Sequence, residues 1–205
     1  MEYGSAPKIL GEFDLEPSEF CYVQYLPIAL PRSAIAVPDN LKWVQPLLDA
    51  IDKQYQIRYT DHVYLTVKNF FVSGPDVGNR PGWHSDGFGT DDLNYIWCDR
   101  SPTEFAIQPF KLSADCSISM QEMEDQFIQG TEVVYPPKTL LLLDQGVIHR
   151  TPTHCEPGYR TFVKISISKH RYNLKGNAHN HLLNYDWEMV ERNVERNHPT
   201  TEVGS

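Results

Sequence analysis

The chain lacks several features that would assign it to a class at once. It has no apolar run near the roughly 20 residues that a membrane helix needs, and its longest run, 140–143, has the length of a strand. Its four cysteines are far apart, without any C-x-x-C spacing, which disfavours a zinc ribbon and gives no reason to expect disulfides. No cationic start followed by an apolar stretch marks a secretory signal. These absences favour a reducing compartment, and we expect a cytoplasmic location and no membrane partner.

Positive charge is also scarce. The 205 residues include 18 Lys and Arg against 27 Asp and Glu, which gives a formal net charge of −9. This balance argues against nucleic acid as a partner, although it does not exclude a local basic patch. With 40% hydrophobic and 22% charged residues, the composition is that of a globular protein. The length suits a single domain over 1–205.

The hydrophobic pattern predicts a mainly β protein with flanking helices. In residues 63–71 the side chains alternate, so that Val63 and Tyr64 begin two opposite faces of a strand. Apolar residues at helical spacing predict an amphipathic helix over 40–55, interrupted or started at Pro46. Further short strands are expected at 20–25, 83–86, 94–98, 103–108, 132–135, 139–144, 147–149 and 159–168, and further helices at 117–127, capped by Ser117, and at 182–193.

Many short strands with close turns and few helices are typical of a sandwich or a barrel. The strand-rich part defines a core of about 63–168. Residues 1–60 are expected to add helical and extended decoration to this core. The tail over 174–205 is expected to be helical and frayed at its end.

One group of polar residues has the pattern of a metal site. His84-Ser85-Asp86 is an H-x-D triplet, of which chance would give about 0.5 in this composition, so its surroundings must decide. It follows a Pro-Gly turn at a predicted strand end, and residues i and i+2 of an extended segment face the same side. A third ligand is expected from His149, which follows the strand at 139–144. Two imidazoles and a carboxylate are the ligands of a facial triad.

Arg160 lies eleven residues after His149, on the predicted strand 159–168. An arginine on the interior face of a strand beside a metal is unfavourable unless an anion meets it. Its planar fork suits a carboxylate. Its face of the strand holds Arg160, Phe162, Lys164, Ser166 and Ser168, and the opposite face, expected to pack under helices, holds Thr161, Val163, Ile165 and Ile167.

Two other groups of residues have comparable spacing. His181 and Arg192 are also eleven residues apart, but they flank a predicted surface helix rather than a strand. His154 and Glu156 form an H-x-E next to a Pro-Gly turn, where a buried metal site is not expected. The local context therefore favours the first constellation.

The order of H-x-D, distal histidine and arginine resembles the iron(II)- and 2-oxoglutarate-dependent oxygenase superfamily, over about the predicted core. The resemblance implies a double-stranded β-helix, also called a jelly roll. It further implies that His84, Asp86 and His149 hold Fe(II) and that Arg160 pairs with the distal carboxylate of 2-oxoglutarate. All four residues stand in this chain.

Phe162 departs from the family pattern, because many members have Ser or Thr two residues after the arginine. A second hydroxyl contact to the cosubstrate is therefore expected from Tyr64 or Thr66. For Arg150, an ion pair with Asp144 is as good an interpretation as contact with an acidic substrate. The expected pocket residues are Lys68, Tyr95, Trp97 and Arg150.

The resemblance implies a dioxygenase that uses Fe(II) and O₂ to oxidise, in the simplest case hydroxylate, a C–H bond. Succinate and CO₂ would be the coproducts of 2-oxoglutarate. A free amino acid or other small molecule is the expected substrate, with a protein side chain or a nucleobase as alternatives. A second hypothesis is a non-redox, cupin-type metalloprotein, either an isomerase or a binding module, which would have no need of Arg160. A third is a catalytically inactive β-domain used for association.

Overall fold

The computed structural model describes residues 2–55, 60–74 and 78–192. In this part of the chain, the mainly β fold that the sequence predicts is confirmed: two antiparallel sheets are accompanied by two short α-helices. The strands are β1 (Lys8–Glu12), β2 (Cys21–Ala29), β3 (His62–Gly74), β4 (Leu93–Cys98), β5 (Glu104–Phe105), β6 (Val133–Val134), β7 (Thr139–Leu143), β8 (His149–Arg150) and β9 (Cys155–Ser168). The helices are α1 (Gln45–Tyr55), preceded by a 3-10 turn at Asp39–Val44, and α2 (Cys116–Gln126).

The larger sheet has six strands in the order β1-β7-β4-β9-β3-β2, and the smaller has three in the order β6-β5-β8. The two longest strands of the larger sheet, β3 and β9, have 13 and 14 residues and lie side by side. Their register pairs Thr66 with Lys164 and Lys68 with Phe162. Thr66, Lys68 and Lys164 therefore form a polar patch in the middle of the sheet, with Phe162 beside it.

The alternation along β3 and β9 gives the larger sheet an apolar face and a polar face. On the apolar face, Leu65 and Ile165 belong to the main hydrophobic core, which also contains Leu47, Leu48 and Ile51 of α1. The predicted packing of this face under a helix is confirmed. The opposite, polar face forms a wall of the cavity described below.

The N-terminal region is more than a decoration of the core. β1 and β2 are the two edge strands of the larger sheet, so the sheet begins well before residue 63. The strand predicted at 20–25 is longer than expected, because β2 runs through Pro27 to Ala29. This is possible because an edge strand does not need every backbone N–H for pairing.

Both helices begin differently from the prediction. The single helix expected over 40–55 is a 3-10 turn followed by α1, and Pro46 lies in the first turn of α1. α2 is capped by Asp115 rather than Ser117, because the Asp115 carboxylate accepts hydrogen bonds from the backbone N–H groups of Ser117 and Ile118. Within the described residues, no helix is long and apolar enough to cross a membrane.

The C-terminal helix predicted at 182–193 is absent up to residue 192, the last described residue. Asn180 donates hydrogen bonds to the carbonyls of Pro27 and Ala36, and Trp187 packs against His62. These contacts hold the segment in an irregular conformation across the sheet edge, which local helical spacing could not reveal. Residues 193–205 of the predicted tail lie outside the described part.

The position of Leu65 in the core gives a test of the fold. Leu65 is fully buried, and Leu65→Ala is expected to lower the free energy of unfolding by about 2–5 kcal/mol because a cavity replaces the side chain. Leu182→Ala is the control, because Leu182 is 61% exposed and its truncation should cost no more than about 0.5 kcal/mol. Urea denaturation measures both values. Equal losses in the two variants would contradict this assignment of the core.

Candidate metal centre

The structure brings the three predicted ligands together. The ligand atoms of His84, Asp86 and His149 all lie within 4.8 Å of one another. Among the described residues, they are the one group of three or more His, Cys, Asp or Glu side chains that could hold a metal ion. His149 is buried, and the other two are half-buried.

A reciprocal pair of backbone hydrogen bonds positions the two histidines. The N–H of His84 donates to the carbonyl of His149, and the N–H of His149 donates to the carbonyl of His84, both at 2.9 Å. The strand predicted at 83–86 is reduced to this single bridge, and the one predicted at 147–149 is replaced by β8. The bridge places the two ring centroids 4.5 Å apart.

Backbone carbonyls select the tautomer of both rings. Nδ1 of His84 lies 2.8 Å from the carbonyl oxygen of Gly82, and Nδ1 of His149 lies 3.2 Å from that of Val147. A carbonyl oxygen can only accept, so both Nδ1 atoms must carry the proton. In a neutral imidazole, Nε2 then has the lone pair, which is the arrangement of metal-binding histidines.

Burial and neighbouring charges set the protonation of the other groups. Burial, and next the proximity of His149, lower the pKa of His84 to about 3, so this ring is neutral at pH 7. For Asp86, burial acts to raise the pKa, but the charge of Lys164 and the two histidines outweigh it and hold the pKa well below its usual range. The site therefore offers a neutral imidazole and a carboxylate without prior loss of a proton.

Contacts outside the triad hold the two ligand segments against each other. The Ser85 hydroxyl donates to the carbonyl of Gln145 at 2.6 Å, and the N–H of Gly89 donates to Oε1 of Gln145 at 3.0 Å. The N–H of Trp83 donates to Oε1 of Glu124 on α2 at 2.8 Å. The H-x-D segment is thereby tied to the turn before β8 and to a helix.

The triad opens onto a cavity of about 280 Å³. One wall is the polar patch of the larger sheet, formed by Thr66, Lys68 and Lys164, together with the ring of Phe162. The size is near the lower end of the range for small-molecule sites. Buried polar groups and a triad that could hold a metal ion, together in one concave site, are features expected of a functional pocket.

The cavity is cationic, although the chain is acidic. Among the described residues, Asp86 is the only lining residue with a carboxylate. An excess of positive charge in a partly enclosed site attracts anions. The lining cations are Lys68, Arg80, Arg150, Lys164 and Arg192.

Lys68 is a lining cation whose hydrogen-bond partners are neutral groups. Its Nζ donates to the carbonyl of Gly78 and to Oδ1 of Asn79, both at 2.7 Å and both neutral. Burial, followed by the charges of Lys164 and Arg160, lowers its pKa to about 8. A bound anion would relieve this repulsion.

Arg160, expected to bind the cosubstrate, is buried but does not line the cavity. Its Nε donates to the carbonyls of Arg100 and Ser101, at 3.1 and 3.2 Å, and its Nη2 has no hydrogen-bond partner among the described residues. The guanidinium carbon lies 5.4 Å from the ring centroid of Phe162, which does line the cavity. The expected contact with a carboxylate stays a prediction.

Of the two expected hydroxyl contacts, only Thr66 lines the cavity, and its Oγ1 accepts a hydrogen bond from the N–H of Tyr25 at 3.0 Å. The hydroxyl of Tyr64 donates to the carbonyl of His170 and accepts from the N–H of Tyr172. Burial raises the pKa of Tyr64. Tyr64 is thus committed to the C-terminal segment and not to the cavity.

Tyr95 and Trp97 were placed in the pocket by the sequence pattern, and the structure corrects this. Both lie in the main hydrophobic core, on the face of β4 that packs towards α1, and Nε1 of Trp97 donates to the carbonyl of Phe13. Alternation along the strand places Asn94 and Ile96 at the cavity instead.

Arg150 lines the cavity as expected, but its charge is already paired. Its Nε donates to Oε2 of Glu104 at 2.7 Å, and its guanidinium lies over the ring of Trp83 at 4.3 Å. Glu104, and not Asp144, is the partner. The Asp144 carboxylate accepts a hydrogen bond from the N–H of Gly146 instead.

The rival pairs of residues do not form a site. Nε2 of His154 lies 3.3 Å from Oε1 of Glu156, and the two side chains are 70% and 80% exposed. Arg192 donates to Oδ1 of Asn177. His181 packs against His179 on an irregular segment, so the helix that was expected between His181 and Arg192 was the wrong reason to discount them.

Sequence reasoning missed Lys164 and Tyr25 as site residues. Nζ of Lys164 lies 3.1 Å from Oδ2 of Asp86 and 2.8 Å from the hydroxyl oxygen of Tyr25. Lys164 shares its strand face with Arg160, which was the one available signal. Tyr25 comes from the distant edge strand β2, and no motif marks it.

The triad predicts stabilisation by a divalent cation. Mn²⁺ at about 100 times its dissociation constant should stabilise the protein by about 2.7 kcal/mol and raise Tm accordingly. His149→Ala should abolish this rise because it removes one of three ligands. His154→Ala should retain it, because His154 is exposed and outside the triad. A rise of equal size in His149→Ala, measured by differential scanning calorimetry, would contradict the site.

Comparisons with known proteins do not assign a family. No protein-family model matches the chain, and no curated protein matches it. The functional argument therefore depends on the geometry of the triad, on the cavity and on the charges around it.

Proposed function

We propose that the chain is an Fe(II)- and 2-oxoglutarate-dependent dioxygenase that oxidises, in the simplest case hydroxylates, a C–H bond of a small molecule. Succinate and CO₂ are the coproducts. The observation that carries this proposal is the His84-Asp86-His149 triad at the wall of a cationic cavity. We further propose that the two antiparallel sheets are those of a jelly roll, with which their arrangement is compatible.

The donor atoms of the triad fit Fe(II). Two imidazole nitrogens and one carboxylate oxygen are the ligands of non-haem Fe(II) oxygenases, and three protein ligands leave coordination positions for a chelating keto acid and O₂. The metal, together with these cosubstrates, would supply the oxidising power for an unactivated C–H bond. The contribution of the protein is to hold the three ligands, exclude water and orient the substrate in the cavity.

The buried cations fit a dicarboxylate such as 2-oxoglutarate. Nη2 of Arg160 is buried without a hydrogen-bond partner among the described residues, and the Lys68 ammonium has neutral partners. Buried positive charge of this kind is unfavourable until an anion binds. We assign Lys68 to the distal carboxylate, with Arg160 supporting it and the Thr66 hydroxyl as a further donor.

A cupin-type metalloprotein without redox chemistry is the second candidate. It is favoured by the position of Arg160, which does not line the cavity and donates to two backbone carbonyls. In that case, the triad would hold a metal for an isomerase or a binding module. Binding of 2-oxoglutarate separates the two candidates.

A small substrate suits the dimensions of the cavity better than a folded partner does. A volume of about 280 Å³ has to accommodate both cosubstrate and substrate, which favours an amino-acid-like or other small molecule. A protein side chain or a nucleobase inserted from outside would require only part of its parent molecule to enter, and both are alternative substrates.

Turnover of the cosubstrate tests the proposed function. Protein supplied with Fe(II), ascorbate and labelled 2-oxoglutarate should release labelled succinate, even without its substrate. His84→Ala should lower the rate by about 100-fold or more, because metal binding is impaired. His154→Ala should leave it unchanged.

The contradicting outcomes lead to different conclusions. Metal binding without 2-oxoglutarate binding or turnover would favour the cupin-type candidate. Absence of any effect of Mn²⁺ or Fe(II) on Tm would favour an inactive β-domain.

The lowered pKa of Lys68 predicts a pH dependence of 2-oxoglutarate binding. The protonated ammonium binds the anion, so affinity should fall as the pH rises through about 8. Lys68→Met should weaken binding roughly 10- to 100-fold at pH 7 and remove this pH dependence. Lys68→Arg should keep its charge and its affinity at pH 9.

Isothermal titration calorimetry of the Mn²⁺-loaded protein without O₂ measures these affinities. Lys175→Met is the control, because it removes a lysine with a 56% exposed side chain outside the cavity. An affinity unchanged between pH 7 and 9 in the wild-type protein would contradict the role of Lys68.

A further inference from the structure

Lys164 places a second cation at the metal centre. Its side chain is buried, and its Nζ lies 3.1 Å from Oδ2 of Asp86. Its other partner is the hydroxyl of Tyr25 at 2.8 Å. At this distance from a carboxylate oxygen, with a neutral hydroxyl as its second partner, the ammonium forms an ion pair with Asp86.

Tyr25 is held firmly enough to fix the ammonium. Its ring stacks on Tyr172 at 5.0 Å, and its N–H donates to Oγ1 of Thr66. Its φ of +46° is a backbone conformation that residues other than glycine rarely adopt, so the surrounding structure must impose it. The ammonium therefore cannot leave Asp86 without giving up a well-positioned partner.

The ammonium and a metal ion would share one oxygen. Oδ2 of Asp86, which binds Lys164, is also 3.8 Å from Nε2 of His149. An ion that uses both His149 and this oxygen would lie close to a fixed positive charge. In a half-buried site, repulsion between like charges at such short range opposes binding of the ion.

We propose that Lys164 is an internal competitor of the metal ion, which keeps Asp86 in position before the metal binds and limits the affinity of the centre once it has bound. The proposal rests on the metal centre of the proposed function. In this role, the ammonium of Lys164 balances the charge of the Asp86 carboxylate until a metal ion binds. A lysine that merely supports the fold would have the opposite effect, because its loss would release Asp86 and weaken metal binding.

Removing the positive charge of Lys164 tests whether this residue weakens or strengthens metal binding. Lys164→Met should bind Mn²⁺ about tenfold or more tightly than the wild-type protein, as measured by the electron paramagnetic resonance signal of free Mn²⁺. Lys164→Gln keeps hydrogen-bonding groups for Asp86 and Tyr25 without the charge, and it should also bind more tightly. This second variant decides the question if the methionine variant does not fold.

Two control variants accompany this test: one keeps the positive charge at position 164, and the other removes a positive charge from an exposed position. Lys164→Arg keeps the cation and should show wild-type affinity or less. Lys169→Met removes a lysine whose side chain is 70% exposed and should change nothing.

The outcomes separate this proposal from the proposed function. Equal or weaker Mn²⁺ binding by folded Lys164→Gln, with binding intact in the wild-type protein, would overturn the role of Lys164 alone. Absence of Mn²⁺ binding in the wild-type protein would overturn both.

Discussion

The site depends on the reciprocal backbone hydrogen bonds between His84 and His149. These two bonds join segments that are 65 positions apart in the sequence, and they bring the two imidazoles to a centroid distance of 4.5 Å. Carbonyls two residues before each histidine then fix the ring tautomers, so the same local backbone supplies both position and chemistry. The backbone therefore contributes directly to the position and orientation of the two imidazoles.

The charges around the triad determine which ligands the cavity attracts. The chain is acidic overall, but cations outnumber carboxylates among the residues that line the cavity. Two of these cations, Lys68 and Lys164, come from the polar patch of β3 and β9. On the opposite side of the same strands, an apolar face packs under α1. One period-two pattern therefore builds the stability of the sheet on one face and the electrostatics of the cavity on the other.

Much of this arrangement could be predicted from the sequence. The triad could be predicted because H-x-D places two ligands on one side of an extended segment, and the faces of β9 because its alternation is regular. Trp97 and Tyr95 were misplaced because large aromatic residues suit both a pocket and a core. Which face of β4 points into the core depends on its register with β7 and β9, which the sequence does not reveal. Tyr25 could not be predicted, because its position depends on the pairing of an edge strand 39 residues before Tyr64. Residues 182–192 were misread as helical, because the long-range hydrogen bonds of Asn180 hold this segment in an irregular conformation.

The irregular edges of the larger sheet have a consequence for its behaviour in concentrated solution. β2 contains Pro27, which has no backbone donor, and the register of both β1 and β2 shifts along their partners. A further strand that approached either edge would find a broken row of donors and acceptors. The sheet therefore resists the edge-to-edge aggregation to which long, flat sheets are prone.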